Sequence, residues 1–196
     1  MRRAREKEIM KDYSRAIESE LDKLYSRQNP SVVVKVDETD RQIGIADKLD
    51  AHANGGVLHR AFSIFLFDLS GRLLLQRRAC GKYHFGGLWT NTCCGHAVPG
   101  EELRVTAGIR LWQEMGICAE INEVGHFTYA ATDPSSGLTE REIDHIFIGI
   151  SDTEPSPDPD EVSEWRWIAP NDLSNELATK PSTFTPWFGL GLKALR

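Results

Sequence analysis

Apolar residues Ile9, Met10, Tyr13, Ala16, Ile17, Leu21, Leu24 and Tyr25 recur at three- and four-residue steps. With charges on the opposite face, they predict an amphipathic helix over residues 6–27, ended by Asn29-Pro30. Two short strands follow, at residues 32–36 and 41–46. Over residues 57–67 the period changes to two, with Phe62, Ile64 and Leu66 alternating with His59, Ala61, Ser63, Phe65 and Phe67. Asp68-Leu69-Ser70-Gly71 is a turn, and residues 72–77 return as the partner strand. Pro99-Gly100 opens a helix that runs to Met115 and stops at Gly116. Residues 127–129 and 143–150 are strands joined through a Pro/Ser/Gly turn, and a proline-rich acidic loop spans 153–161. Residues 165–168 form a last strand and residues 178–195 a terminal helical region. Strands outnumber helices and one helix is embedded between strands, which makes the class α+β. Residues 1–47 are expected to pack on residues 48–196, giving a single domain overall.

Composition narrows the function. The chain has 196 residues, 40% hydrophobic and 27% charged, ordinary values for one globular domain. A formal charge of −6 argues against a general nucleic-acid binder. No apolar run is long enough to span a bilayer, and the basic start Met1-Arg2-Arg3 lacks the apolar stretch of a secretory signal. A cytoplasmic protein is expected, with Cys80, Cys93, Cys94 and Cys118 as free thiols. The first helix either docks on its own domain or forms a dimer contact, so the chain is a monomer or a weak homodimer.

The candidate chemistry centres on Thr90-Asn91-Thr92-Cys93-Cys94-Gly95-His96, which sets a thiol two residues from an imidazole just before a helix. His59 lies on a strand, His52 and His96 in loops. Each alone is more often structural than a ligand. Glu140 and Glu142, two apart on a strand, point to one face, where they repel or demand a cation. A solvated acidic edge strand is the bland alternative. Three imidazoles and two carboxylates together suit a divalent transition ion or Mg²⁺. On the helix, Arg110 and Glu114 stand one turn apart, as an ordinary surface ion pair or as a carboxylate for an exchangeable Mg²⁺ on a diphosphate. Lys48, Arg77, Arg78 and Lys82 are candidate diphosphate clamps, or simply solubilising charges. Trp165 and Trp167 read as core or as a cleft wall. Trp187, after Pro186, is core or an indole face for a passing cation.

Several anchors in order resemble one family. They are Ala51-His52, Leu58-His59-Arg60-Ala61-Phe62-Ser63, Arg77-Arg78-Ala79, Trp89 through His96, Tyr129, Ala131-Thr132-Asp133-Pro134, Glu140-Arg141-Glu142 and Pro186-Trp187. Together they resemble the type 1 isopentenyl-diphosphate isomerases of the Nudix superfamily, over about residues 48–187. The resemblance implies a Nudix-like mixed sheet flanked by helices. It also implies a metal (Mn²⁺, Mg²⁺ or Zn²⁺) held by His52, His59, His96, Glu140 and Glu142. Cys94 and Glu142 become the acid–base pair, Tyr129 bonds Glu142, and Trp187 faces the developing carbocation. Glu114 and the Cys94 carbonyl hold Mg²⁺ on the diphosphate, with Lys48, Arg78, Lys82 and Arg110 around it. The Nudix box is imperfect: Gly95, Glu101 and Glu114 match, but Ile109-Arg110 replaces Arg-Glu and Gln113 a metal-binding Glu. That loss weakens the alternative, a diphosphohydrolase of nucleotide or prenyl diphosphates. The small-molecule partner implied is a prenyl diphosphate.

Overall fold

Residues 31–195 are described by a computed structural model; the amphipathic helix expected over residues 6–27 lies outside them. Among the described residues, nine strands join in one hydrogen-bonded network. In chain order they are β1 (Val32–Val36), β2 (Gln42–Asp47), β3 (His59–Phe67), β4 (Leu73–Arg78), β5 (Trp89–Thr90), β6 (Cys93–His96), β7 (Ile121–Thr132), β8 (Thr139–Ile150) and β9 (Val162–Ile168). The helices are α1 (Lys48–His52), α2 (Leu103–Met115), α3 (Pro170–Thr179) and α4 (Phe188–Ala194), with a 3₁₀ turn at Pro181–Thr183. None is long and apolar enough to cross a membrane.

Strand β3 organises the rest. One of its edges pairs in parallel with β8 along its whole length, His59 opposite Glu142 and Phe67 opposite Ile150. Its other neighbours are β1 at Lys35–His59, β6 over Ala61–Ile64 and β4 at Phe67–Leu73. The alternation in β3 sends its side chains to two different cores. Phe62, Ile64 and Leu66 pack with Phe147 against Ala107, Leu111 and Met115 of α2. Phe65 packs on the opposite face with Ile146, Leu75, Leu173, Phe184 and Phe188. Each such fully buried side chain contributes about 1.5–3 kcal/mol relative to an exposed one.

Several expectations are corrected. The helix α2 begins at Leu103, after a turn in which Glu101 N–H donates to the Val98 carbonyl and Gly100 adopts φ +84°. Its end at Gly116 is as the sequence reads: φ +66° is a left-handed cap, and a Cβ there would meet Ser156 O at 2.7 Å. Strand β7 extends far beyond residues 127–129; the bulge between Glu123 and Gly125 breaks its alternation, and most of its residues are exposed or half-buried. The region 178–195 is not one helical run, since Pro181 and Pro186 interrupt it. His52 is not in a loop but ends α1, whose N-terminus is capped by the Asp47 carboxylate accepting from Leu49 and Asp50 N–H. His96 likewise ends β6 rather than lying in a loop.

Candidate active site

Side-chain parity delivers the site. In β6, Cys94 faces Ser63 and His96 faces Ala61. In β8, Glu142 faces His59, and across β7 it also faces Tyr129. Directly paired residues share a face, so His59, Cys94, His96, Tyr129, Glu140, Glu142 and Asp144 all project from the same side of the sheet. Strand β8 lies between β3 and β7, so the two glutamates do not sit on an edge strand.

Here the described structure brings His52, His59, His96, Glu140 and Glu142 together. The three imidazole centroids lie 4.8–5.2 Å apart. His52 Nε2 is 2.7 Å from Glu140 Oε2, and His96 Nε2 is 3.0 Å from Glu142 Oε1. His59 Nε2 lies 3.4 Å from Glu142 and 3.6 Å from Glu140, buried and without a hydrogen bond of good geometry. The other nitrogens settle the tautomers. His59 Nδ1–H donates to the Val57 carbonyl at 2.7 Å, and His52 Nδ1–H donates to the Lys48 carbonyl. Their Nε2 lone pairs therefore face carboxylate oxygens, acceptor against acceptor, which is tolerable only with positive charge between them. In the metal-free protein a proton can supply it. Burial opposes a charged His59, but the facing carboxylates of Glu140 and Glu142 push its pKa up to about 10. Burial lowers the His96 pKa. Glu140 feels burial pushing it upward, yet four imidazoles, His52 and His84 bonded to it and His59 and His96 beside it, hold it well below the ordinary carboxylate range. The donor set of imidazole nitrogens and carboxylate oxygens fits a divalent cation, in the position the extra proton otherwise takes.

Beside this nest lies an aromatic wall of Phe85, Tyr129 and Trp187, with Leu88, Cys94, Phe127 and Ala131 against it. Tyr129 O–H donates to Glu142 Oε2 at 2.6 Å. Burial pushes the Cys94 thiol up to about 12, against the opposing attraction of Arg78, whose Nη1 is 3.9 Å from the sulfur. Trp187 is buried, and its ring already receives a cation: the Arg78 guanidinium carbon lies 5.5 Å from its centroid.

A third group is cationic. Burial lowers the Lys48 pKa, and the nearby charges of Lys82 and Arg110 lower it further, so the three repel one another. In this structure Glu161 spans two of them, bonding Lys82 and lying 3.4 Å from Arg110. Arg110 also pairs with Glu114, which accepts from Gln76 at 3.1 Å and is buried. The Arg110–Glu114 pair is thus not a surface pair. Trp165 and Trp167 pack against the α2-side core, as their strand spacing suggests.

Three participants escape the sequence pattern. Buried His84 donates from Nε2 to Glu140 Oε1, while its Nδ1 lies 3.1 Å from Arg78 Nη2. Asp144 continues the Glu140–Glu142 alternation, and that period-two run was the available signal. It accepts from Ser63 at 2.8 Å, and burial raises its pKa well above normal. Glu161 sits in the acidic loop and carried no distinguishing signal.

The NUDIX domain family matches residues 57–188. The chain is 49% identical over 152 residues to an isopentenyl-diphosphate Delta-isomerase from Nocardia farcinica, covering 78% of this chain and 87% of the relative. A Halorhodospira halophila protein of the same name is 47% identical, with 80% and 90% covered. In fold, the Deinococcus radiodurans protein DR0079 superposes with a TM-score of 0.68 at 19% identity, over 84% of this chain and 99% of that one. A MutT protein from Methanosarcina mazei gives 0.57 at 20% identity, over 69% and 91%.

Proposed function

Because the chain belongs to the Nudix family and, within it, to the isopentenyl-diphosphate Delta-isomerases, we propose a role for each part of the site just described. The enzyme interconverts isopentenyl and dimethylallyl diphosphate, adding a proton at one end of a three-carbon unit and removing one at the other. An unactivated alkene is a very weak base, so the donor must be held in place and the tertiary cation stabilised.

Cys94 and Glu142 are the acid–base pair. A thiol pushed up to about 12 stays protonated at neutral pH, so Cys94 carries a proton to give. Glu142 is a carboxylate: burial and the Glu140 charge raise its pKa, but His59 and His96 lower it further. One direction of the reaction uses Cys94 as donor and Glu142 as acceptor, and the reverse direction exchanges them. Tyr129 holds the Glu142 carboxylate through its 2.6 Å hydrogen bond. Trp187 offers its ring to the developing cation, worth roughly 0.5–2 kcal/mol as water is excluded. Phe85, Leu88 and Phe127 exclude that water, which would otherwise quench the cation. Lys48, Arg78, Lys82 and Arg110 take the diphosphate, displacing Glu161 from its place among the cations.

His52, His59, His96, Glu140 and Glu142 would hold Mn²⁺, Mg²⁺ or Zn²⁺, and Glu114 with the Cys94 carbonyl would hold Mg²⁺ on the diphosphate. Such ions, when bound, neutralise carboxylate and phosphate charge and fix the orientation of Glu142. Residues 31–47 belong with the catalytic unit in this proposal, since β1 pairs with β3 at His59 itself. Substrate and product are small, charged and water-soluble, and we extend the proposal to a cytoplasmic monomer or weak homodimer.

The observation that carries this reading is the Cys94 thiol packed against the aromatic wall whose Tyr129 holds the Glu142 carboxylate at 2.6 Å. Incubation with isopentenyl diphosphate and Mg²⁺ in D₂O, followed by NMR, tests it. Deuterated dimethylallyl diphosphate from wild type and none from Cys94→Ala or Glu142→Gln is expected. Near-wild-type turnover by either variant overturns the assigned roles.

A further inference from the structure

We propose a second metal site on the opposite face of the sheet, formed by Glu123, His126 and His145, that takes a borderline divalent ion such as Zn²⁺. His145 follows Asp144 in β8, so its side chain leaves the sheet on the side away from Glu142 and Cys94. His126 is its direct partner across β7. Glu123 stands three residues before His126 and would normally point to the other face. The register shift between Glu123 and Gly125 inserts one extra residue and returns Glu123 to the face of the two histidines.

The hydrogen bonds are those of a prepared ligand. His145 Nε2 lies 3.0 Å from Asp40 Oδ2, and Asp40 Oδ1 accepts from Arg60 Nε at 2.8 Å. A carboxylate that takes the remote N–H of an imidazole, and is itself held by a cation, is the outer shell of many histidine–metal centres. With its proton on Nε2, His145 turns the Nδ1 lone pair toward Glu123 Oε1, 2.7 Å away, again acceptor against acceptor. The His126 ring lies 5.4 Å from that of His145. One ligand atom from each of the three residues lies within 4.8 Å of the others. Tetrahedral coordination at ordinary Zn–N and Zn–O lengths needs separations of about 3.3 Å. Glu123 and His126 are exposed and can close that difference by side-chain rotation alone, while His145 is buried and fixed. Two imidazoles and one carboxylate, with water completing the shell, select Zn²⁺ over Mg²⁺ or Ca²⁺. An ion there would fasten the β7–β8 hairpin to the β1–β2 turn, because Asp40 belongs to that turn.

The competing arrangement is an imidazolium His145 bridging Glu123 and Asp40 with no ion. Calorimetric titration of the full chain with Zn²⁺, combined with long-range ¹H–¹⁵N spectra of the histidine rings, separates the two. A His59→Ala background removes the catalytic cluster as a source of binding. In that background Zn²⁺ binding should persist, moving the His145 Nδ1 resonance to a metal-bound position. His126→Ala or Glu123→Gln should weaken it at least about tenfold, and Asp40→Asn by about tenfold or more. Both His145 nitrogens remaining protonated at saturating Zn²⁺, or unchanged affinity in His126→Ala and Glu123→Gln, would overturn the proposal.

Discussion

Replacing His84 isolates a single hydrogen bond that positions the Glu140 carboxylate. Arginine cannot accept a hydrogen bond, so Arg78 Nη2 at 3.1 Å makes His84 Nδ1 the acceptor and puts the ring proton on Nε2. That proton goes to Glu140 Oε1, leaving Oε2 to face His52 at 2.7 Å, His59 at 3.6 Å and His96 at 3.8 Å. His84 therefore anchors one oxygen of Glu140 while the other points into the ligand nest. A hydrogen bond to a charged group contributes about 1.5–3 kcal/mol. Losing it should weaken divalent-ion binding by roughly 10–100-fold, or about 1.4–2.7 kcal/mol, the range seen when outer partners of metal ligands are removed. His84→Phe keeps the ring that stacks on Tyr83 at 4.1 Å but loses the donor. His84→Gln restores an N–H near the Nε2 position and should recover most of the affinity. The assay is competition for Mn²⁺ or Zn²⁺ against a chromophoric chelator, with thermal unfolding in EDTA as a check on the fold. His84→Phe binding the ion as tightly as wild type, while His59→Ala does not, would refute the argument.

Other perturbations probe separate links. The half-buried Cys94 thiol, pushed up to about 12, should alkylate with iodoacetamide roughly tenfold faster per pH unit from pH 8 to 10. A rate that levels off by about pH 10 in the metal-free protein would show a normal thiol instead. Gly95→Ala would place a Cβ 2.9 Å from the Phe62 ring, behind the strand that carries Cys94 and His96. It should cost about 1–3 kcal/mol in denaturant unfolding, and a wild-type midpoint would contradict that contact. Asp133 accepts from Phe85 N–H at 3.0 Å and from Ser135 and Ser136. Burial raises its pKa, but these bonds outweigh it and bring it to about 2. Its contribution to stability is therefore present above its unfolded value of 3.8 and lost as pH falls through about 2. Asp133→Asn should flatten the decline in melting temperature between pH 4 and 2, and an identical decline would remove Asp133 from the account.

How much of the site can be read from sequence depends on the length of the element that holds each residue. His59 sits in a nine-residue strand whose alternation is visible, and Glu140 and Glu142 keep strand spacing, so their shared face is legible. His52 sits in a five-residue helix and His96 in a four-residue strand, too short for any period to show. His84 lies in a turn between β4 and β5 with no regular structure at all. Its position depends on Arg78, six residues behind, and on Asp133, which accepts from the N–H of the next residue, Phe85, across 48 residues, and a local pattern cannot encode that. Pro170 at the first turn of α3 was a readable start signal that the missing apolar period concealed.

The span of chain between His52 and Glu140, 88 residues, has a consequence for how the protein is made. Synthesis runs from the amino end, so the imidazoles of α1, β3 and β6 exist well before β8 has been translated. Until then β3 lacks the parallel neighbour that pairs with it at nine positions. Parallel pairing over such a separation carries a large loop-closure cost and is slow to form. The candidate site is consequently among the last things to exist during biogenesis. A nascent chain stalled before residue 139 would present the imidazoles of His52, His59, His84 and His96 and an unpaired strand edge without Glu140 or Glu142, and would be a substrate for chaperones rather than an enzyme.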